Sequence, residues 1–162
     1  MKHASFLLRI AGSVLFILFV STTLMAQVTN FSGSWKLNPS KSKLNEQFSM
    51  APRDIVVTQD ETTLAIVRHS SFQDQEFTIN DKLTLDGKDC INEGFMNTKK
   101  TSVVSISEDK KSLTIKSKIP IENAGEMTIT EILKVVDGCL SIETSSSSDW
   151  GTSTENYIFD KQ

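Results

Sequence analysis

Leu133-Lys134-Val135-Val136-Asp137-Gly138-Cys139-Leu140-Ser141-Ile142 is the stretch that decides the fold. Short apolar runs flank an Asp-Gly pair, the dipeptide best able to adopt the positive φ angles of a two-residue hairpin turn. Such a turn pairs Val135 with Leu140 and Leu133 with Ile142, and it carries Glu131 opposite Thr144. The unit recurs. Ile55-Val56-Val57-Thr58-Gln59-Asp60-Glu61-Thr62-Thr63-Leu64-Ala65-Ile66 aligns with Val104-Ser105-Ile106-Ser107-Glu108-Asp109-Lys110-Lys111-Ser112-Leu113-Thr114-Ile115, each a strand, a polar turn and a Leu-x-Ile strand.

From Ile55 onward nearly every apolar residue sits in such period-two runs, rich in Val, Ile and Thr. The pattern predicts an all-β meander with strands over 31–37, 54–60, 62–70, 75–85, 89–94, 99–107, 112–119, 126–136, 139–147 and 152–160. The fold class expected is a single up-and-down antiparallel β-barrel of eight to ten strands. At most one short helix is expected, over Lys41 to Phe48, started by Asn38-Pro39-Ser40 and stopped before Pro52.

Alternation assigns the faces. Placing Leu64/Ile66, Leu113/Ile115 and Leu140/Ile142 inward keeps six large aliphatics out of water. Followed away from the turns, the inward positions become polar: Arg68 and Ser70, Ser117, Thr144 and Ser146, with Glu131 opposite Thr144. Across the Asp86-Gly87 turn, Leu83, Leu85, Ile79 and Phe77 share a face with Asp81. The barrel therefore reads as apolar at one end and polar at the other, the gradient of a container with a packed base and an open mouth. A single bulge would reverse the assignment and return Arg68 and Glu131 to solvent.

Residues 1–26 read as a cleaved secretory signal: Lys2, His3 and Arg9, an apolar core over Ile10 to Val20, then Ser21-Thr22-Thr23-Leu24-Met25-Ala26. The core is too short to span a bilayer. Cleavage after Ala26 leaves a single domain, 27–162, of 136 residues with 15 basic and 20 acidic side chains. That acidic balance disfavours nucleic acid and anionic membranes. The product is expected to be exported, periplasmic or extracellular, and monomeric. The leader has a bacterial character, which makes the Asn30-Phe31-Ser32 glycosylation sequon incidental.

Catalytic and metal chemistry find little support. His69 is the one histidine of the mature chain, placed outward by parity, and it has no thiolate or carboxylate spaced to complete a zinc site. No G-x-S-x-G elbow occurs. Asp81 and Glu131 could form an acid–base pair, but beside Arg68 they read more simply as a charge-balanced cluster. No cofactor is implied. Cys90 and Cys139 both follow Asp-Gly turns, yet parity sends Cys90 inward and Cys139 outward on strands separated by three others. Both are expected to be free thiols. Trp150 is expected at the rim.

Phe31-Ser32-Gly33-Ser34-Trp35-Lys36-Leu37 resembles the F-x-G-x-W-K-L opening shared by lipocalins and intracellular fatty-acid-binding proteins. That resemblance makes Gly33 and Trp35 structural, with the indole across the closed base. Glu155-Asn156-Tyr157-Ile158-Phe159-Asp160-Lys161 is similar to the fatty-acid-binding-protein ending, whose Arg-x-Tyr pair holds a ligand carboxylate. Here those places fall on Tyr157 and Phe159, without the guanidinium. Asn30 to Asn38, Leu85 to Cys90 and Ser112 to Lys116 look most like small exported bacterial lipocalin-like domains. The function implied is binding of a small hydrophobic or amphipathic molecule, with Arg68, Ser117, Glu131, Thr144, Tyr157, Phe77 and Phe159 as lining residues. The alternatives are a filled barrel acting as an interaction or inhibitor module through its loops, and, last, a carboxylate-dependent hydrolase.

Overall fold

The computed structural model describes residues 27–47, 49–72, 75–94, 97–121 and 125–162. The expected signal segment lies outside the described residues. Ten antiparallel strands follow one another: β1 Gly33–Leu37, β2 Asp54–Gln59, β3 Thr63–Phe72, β4 Gln75–Thr84, β5 Cys90–Glu93, β6 Lys99–Ile106, β7 Ser112–Pro120, β8 Glu126–Val136, β9 Cys139–Ser148 and β10 Gly151–Lys161. They form one sheet in the order β4-β3-β2-β1-β10-β9-β8-β7-β6-β5. The β1–β10 pairing closes the meander, leaving β4 and β5 as the two edges of a nearly closed barrel.

The Asp137-Gly138 hairpin has the register its sequence dictates: Val135 opposite Leu140, Leu133 opposite Ile142, Glu131 opposite Thr144. Both turn residues have positive φ, 51° at Asp137 and 76° at Gly138, as a tight hairpin with native twist demands. No bulge interrupts β3 or β8, and the inward parity runs unbroken to the polar half.

At the base, Phe31, Trp35, Leu64, Leu113, Leu133, Leu140, Ile142 and Phe159 are packed together out of solvent. Trp35 Nε1 donates to the Phe31 carbonyl at 3.0 Å, satisfying the polar edge of a buried indole. Lys161 Nζ stands 5.5 Å over its ring. Gly33 has φ 151°, and a Cβ there would lie 3.3 Å from Trp35 Nε1 and 3.3 Å from Lys161 Cε. The G-x-W pattern is thus a backbone constraint: the indole lies against a residue that must lack a side chain.

The expected helix over Lys41 to Phe48 does not form; Phe48 itself lies outside the described residues. A single turn follows Asn38, whose side-chain oxygen accepts from the Lys41 amide, and the chain then extends. The cause is the edge of β10. β1 has five residues and β10 eleven, so much of that edge has no partner in β1. Its backbone groups recruit the connecting segment: Asn38 N donates to Ile158 O at 2.8 Å, and Lys43 and Asn156 exchange both amide bonds at 2.8 and 3.0 Å. Unpaired peptide groups at a sheet edge outweigh the weak helix preference of a short polar segment.

Where β4 meets β5, side chains replace the ladder. Asn92 accepts from the Lys82 amide through Oδ1 at 2.9 Å and returns a bond from Nδ2 to the Lys82 carbonyl at 3.1 Å. Cys90 Sγ accepts from the Thr84 amide at 3.2 Å. Higher up, Lys100 on β6 reaches past β5 to Asp81 on β4.

Candidate ligand-binding site

Above the apolar base, the lumen-facing positions turn polar in one belt. β3 contributes Arg68, β4 Asp81, β6 Lys100 and Ser102, β7 Ser117, β8 Glu131, β9 Thr144, and β10 Glu155 and Tyr157. Arg68 is the centre. Its guanidinium Nη1 pairs with Asp81 Oδ2, and its Nη2 donates to Glu131 Oε1 and Oε2 at 3.1 and 2.9 Å. β3 and β8 are five places apart in a ring of ten strands, so the Arg68–Glu131 pair bridges opposite walls.

Burial opposes the Arg68 charge most strongly, yet the Glu131 and Asp81 carboxylates more than offset it and raise its pKa above the ordinary value. Lys100 Nζ stands 2.5 Å from Asp81 Oδ1. That contact is one of charge and not of alignment, because the same oxygen accepts no hydrogen bond. Ser102 and Ser117 satisfy each other, oxygen to oxygen at 2.8 Å.

On the other side of the lumen, Tyr157 donates its hydroxyl to Glu155 Oε2 at 2.7 Å, and the Asn45 amide donates to Glu155 Oε1 at 2.8 Å. The connecting segment therefore docks on the belt through Asn45. Burial first, and then the Glu155 carboxylate, push the Tyr157 hydroxyl far above its ordinary pKa, so that it stays protonated.

The belt brings together Arg68, Ser117, Glu131, Thr144 and Tyr157 of the residues expected to line a ligand. Phe77 is half-buried on β4, one strand pair above the belt opposite Ser70. Phe159 lies elsewhere: fully buried, opposite Leu140, it belongs to the packed base below the belt. Lys100 and Glu155 are absent from the sequence reading. Both were accessible to it, since Val104, Ser102 and Lys100 alternate inward on β6, and Glu155 precedes Tyr157 and Phe159 by the same step.

Towards the open end the inward face becomes apolar again. Phe77 and Met127 lie beyond the belt, Ile79 and Ile129 lie level with it opposite Arg68 and Ser117, and all four are partly exposed, with Ile119 buried beside Met127. A separate open cleft of about 470 Å³, lined by Gln27, Val28, Gln59, Asp60, Glu61, Leu85 and Lys110, sits outside the closed end.

His69 faces outward, its Nδ1 2.5 Å from Asp54 Oδ1. Among the described residues no three His, Cys, Asp or Glu side chains are grouped to hold a metal. Cys90 is buried on β5 and Cys139 half-buried on β9, each unbridged. Asp81 and Glu131 are held by one guanidinium, Asp81 through Nη1 and Glu131 through Nη2.

No family model and no curated protein matches the chain. Two solved structures share its architecture. Zebrafish ileal bile acid-binding protein, crystallised with cholic acid, has 14% identity and a TM-score of 0.54, over 82% of this chain and 98% of that one. Apo Caenorhabditis elegans lipid binding protein 8 has 14% identity and a TM-score of 0.57, over 85% and 100% of the two chains. The fold, ten antiparallel up-and-down strands in a nearly closed barrel, is the one these two proteins share.

Proposed function

We propose that the chain is an exported, monomeric, non-enzymatic binding protein that holds a small hydrophobic or amphipathic molecule in the upper half of its barrel. The observation that carries this reading is the partly exposed, inward-facing apolar wall at and beyond the belt, formed by Phe77, Ile79, Met127 and Ile129. Apolar surface left open inside a concave wall, next to a few convergent polar groups, is the common make-up of a ligand chamber. The fold neighbours, one named a lipid binding protein and the other a bile acid-binding protein crystallised with cholic acid, support the same reading by analogy. Below the belt the barrel is solid, so the ligand's tail lies against the mouth-side wall and its head meets the belt from above. Removal of residues 1–26 and release to a bacterial periplasm or the medium form part of the proposal, and the likeness of Asn30 to Asn38 to exported lipocalin-like domains supports them.

Titration of the mature protein with Nile red, an uncharged lipophilic dye, tests the reading together with native mass spectrometry of protein purified from its own envelope. Saturable uptake of one dye per chain, or a reproducible non-covalent adduct, is expected. A bare mass and no uptake would overturn it in favour of an interaction module working through its loops.

A further inference from the structure

We infer that Glu131 is a specificity determinant that makes the chamber reject carboxylate amphiphiles and accept those with an uncharged or cationic head. The inference rests on the chamber reading and deepens it. A carboxylate ligand in an apolar pocket needs a cation with an unused face. Among the described strand positions of the belt, Arg68 and Lys100 are the cations, whereas Lys161 lies over the Trp35 ring at the closed end. Each already faces a carboxylate of the chain. Arg68 has Asp81 on one side and both Glu131 oxygens on the other, and Lys100 is held by Asp81.

Glu131 occupies the guanidinium face that a ligand carboxylate would need, and it does so from the opposite wall without any loss of translational freedom. The remaining charge acts in the same direction. Two cations stand against three carboxylates, Asp81, Glu131 and Glu155, and the third is held by neutral donors, the Tyr157 hydroxyl and the Asn45 amide. An anionic head arriving at the belt meets a surplus of negative charge at short range. An alcohol, a sugar or an ammonium head does not.

Competition of Nile red with three probes of one tail, decyltrimethylammonium, decyl maltoside and decanoate, each below its micelle-forming concentration at neutral pH, tests this. Wild type is expected to bind decanoate on the order of tenfold or more weaker than the other two. Glu131→Gln keeps a hydrogen-bonding group but frees one guanidinium face, and it is expected to raise decanoate affinity on the order of tenfold while lowering that for decyltrimethylammonium. Decanoate bound by wild type as tightly as the maltoside overturns the inference even if Glu131→Gln fails to fold. So does a folded Glu131→Gln variant with unchanged rank order. Failure of dye and all three probes to bind removes the chamber itself, a distinguishable result.

Discussion

Arg68 and Glu131 stand on opposite walls of the barrel and meet across its lumen, one guanidinium nitrogen lying 2.9 and 3.1 Å from the two carboxylate oxygens. A strut of this kind divides the interior: a hydrophobic core towards the closed end, a partly exposed apolar wall towards the mouth.

Removing one end of the strut leaves a buried charge short of a partner. The Arg68 and Glu131 side chains are 10% and 15% exposed, so solvent screens them little. Glu131→Ala is expected to cost about 3 kcal/mol, the low end for breaking a buried pair, because Asp81 still holds Arg68. Glu131→Gln keeps an oxygen that accepts from Arg68 Nη2 while Asp81 still faces the guanidinium, and it is expected to lose less than Glu131→Ala. Urea denaturation of both decides the matter, and a Glu131→Gln variant as unstable as Glu131→Ala would show that the charge of Glu131, and not its hydrogen bonds, holds the strut.

The base rests on a different pair. Gly33→Ala places a methyl group against the Trp35 indole at a backbone angle that side chains rarely adopt, and it is expected to cost about 1–3 kcal/mol. Trp35→Phe leaves the buried Phe31 carbonyl without its donor, a further loss of about 1–3 kcal/mol by itself. Thermal unfolding measures both. A Gly33→Ala variant as stable as wild type would mean that the indole has room to move.

How much of this was legible beforehand depends on the range of each interaction. The hairpin registers follow from turn residues a few positions away, so the Glu131–Thr144 pairing and the apolar-to-polar gradient could be read from the Asp-Gly turn alone. Parity placed Arg68, Asp81 and Glu131 inside. It could not place Arg68 against Glu131, because that contact depends on the β1–β10 closure and on the number of strands in the ring. Lys100 and Glu155 were within reach of the same parity. The helix between β1 and β2 failed for a non-local reason, the unpaired edge of a strand more than a hundred residues away. Phe159 fell below the belt because its partner Leu140 sits beside the Asp137-Gly138 turn, at the closed end.

Acid is expected to loosen the β2–β3 turn. The Asp60 carboxylate is held down to about pKa 2 by the Thr63 hydroxyl and by the Thr62 and Thr63 amides. A carboxylate whose folded pKa lies below its unfolded value of 3.8 adds stability above that value and loses it as pH falls through about 2. A ¹³C-detected titration of the carboxyl carbon should show the low midpoint, and Asp60→Ala should remove that share of the acid sensitivity. A midpoint near 4 would mean that the turn does not hold the charge.

Thiol reactivity separates the two cysteines. Cys139 is half-buried on the outer surface beside Lys41 and Asp160, whereas Cys90 is buried with its sulfur accepting from the Thr84 amide. Under native conditions one equivalent of a thiol reagent is expected to react at Cys139, and the second only on unfolding. Rapid modification of Cys90 in the native protein would instead report opening of the β4–β5 seam.

That seam is the barrel's weakest wall, because side chains close it where every other neighbouring pair of strands has a ladder. Asn92 is half-exposed, so its two bonds to Lys82 compete with water and contribute at the low end of the usual range. Asn92→Ala is expected to lower global stability by about 1 kcal/mol. The local effect is larger in kind. The Lys82 amide donates to Asn92 Oδ1, so its hydrogen-exchange protection should fall towards that of an open edge, while amides at the β8–β9 centre keep theirs. Equal protection of the Lys82 amide in variant and wild type would show that the seam is held by Asp81–Lys100 and Cys90 alone.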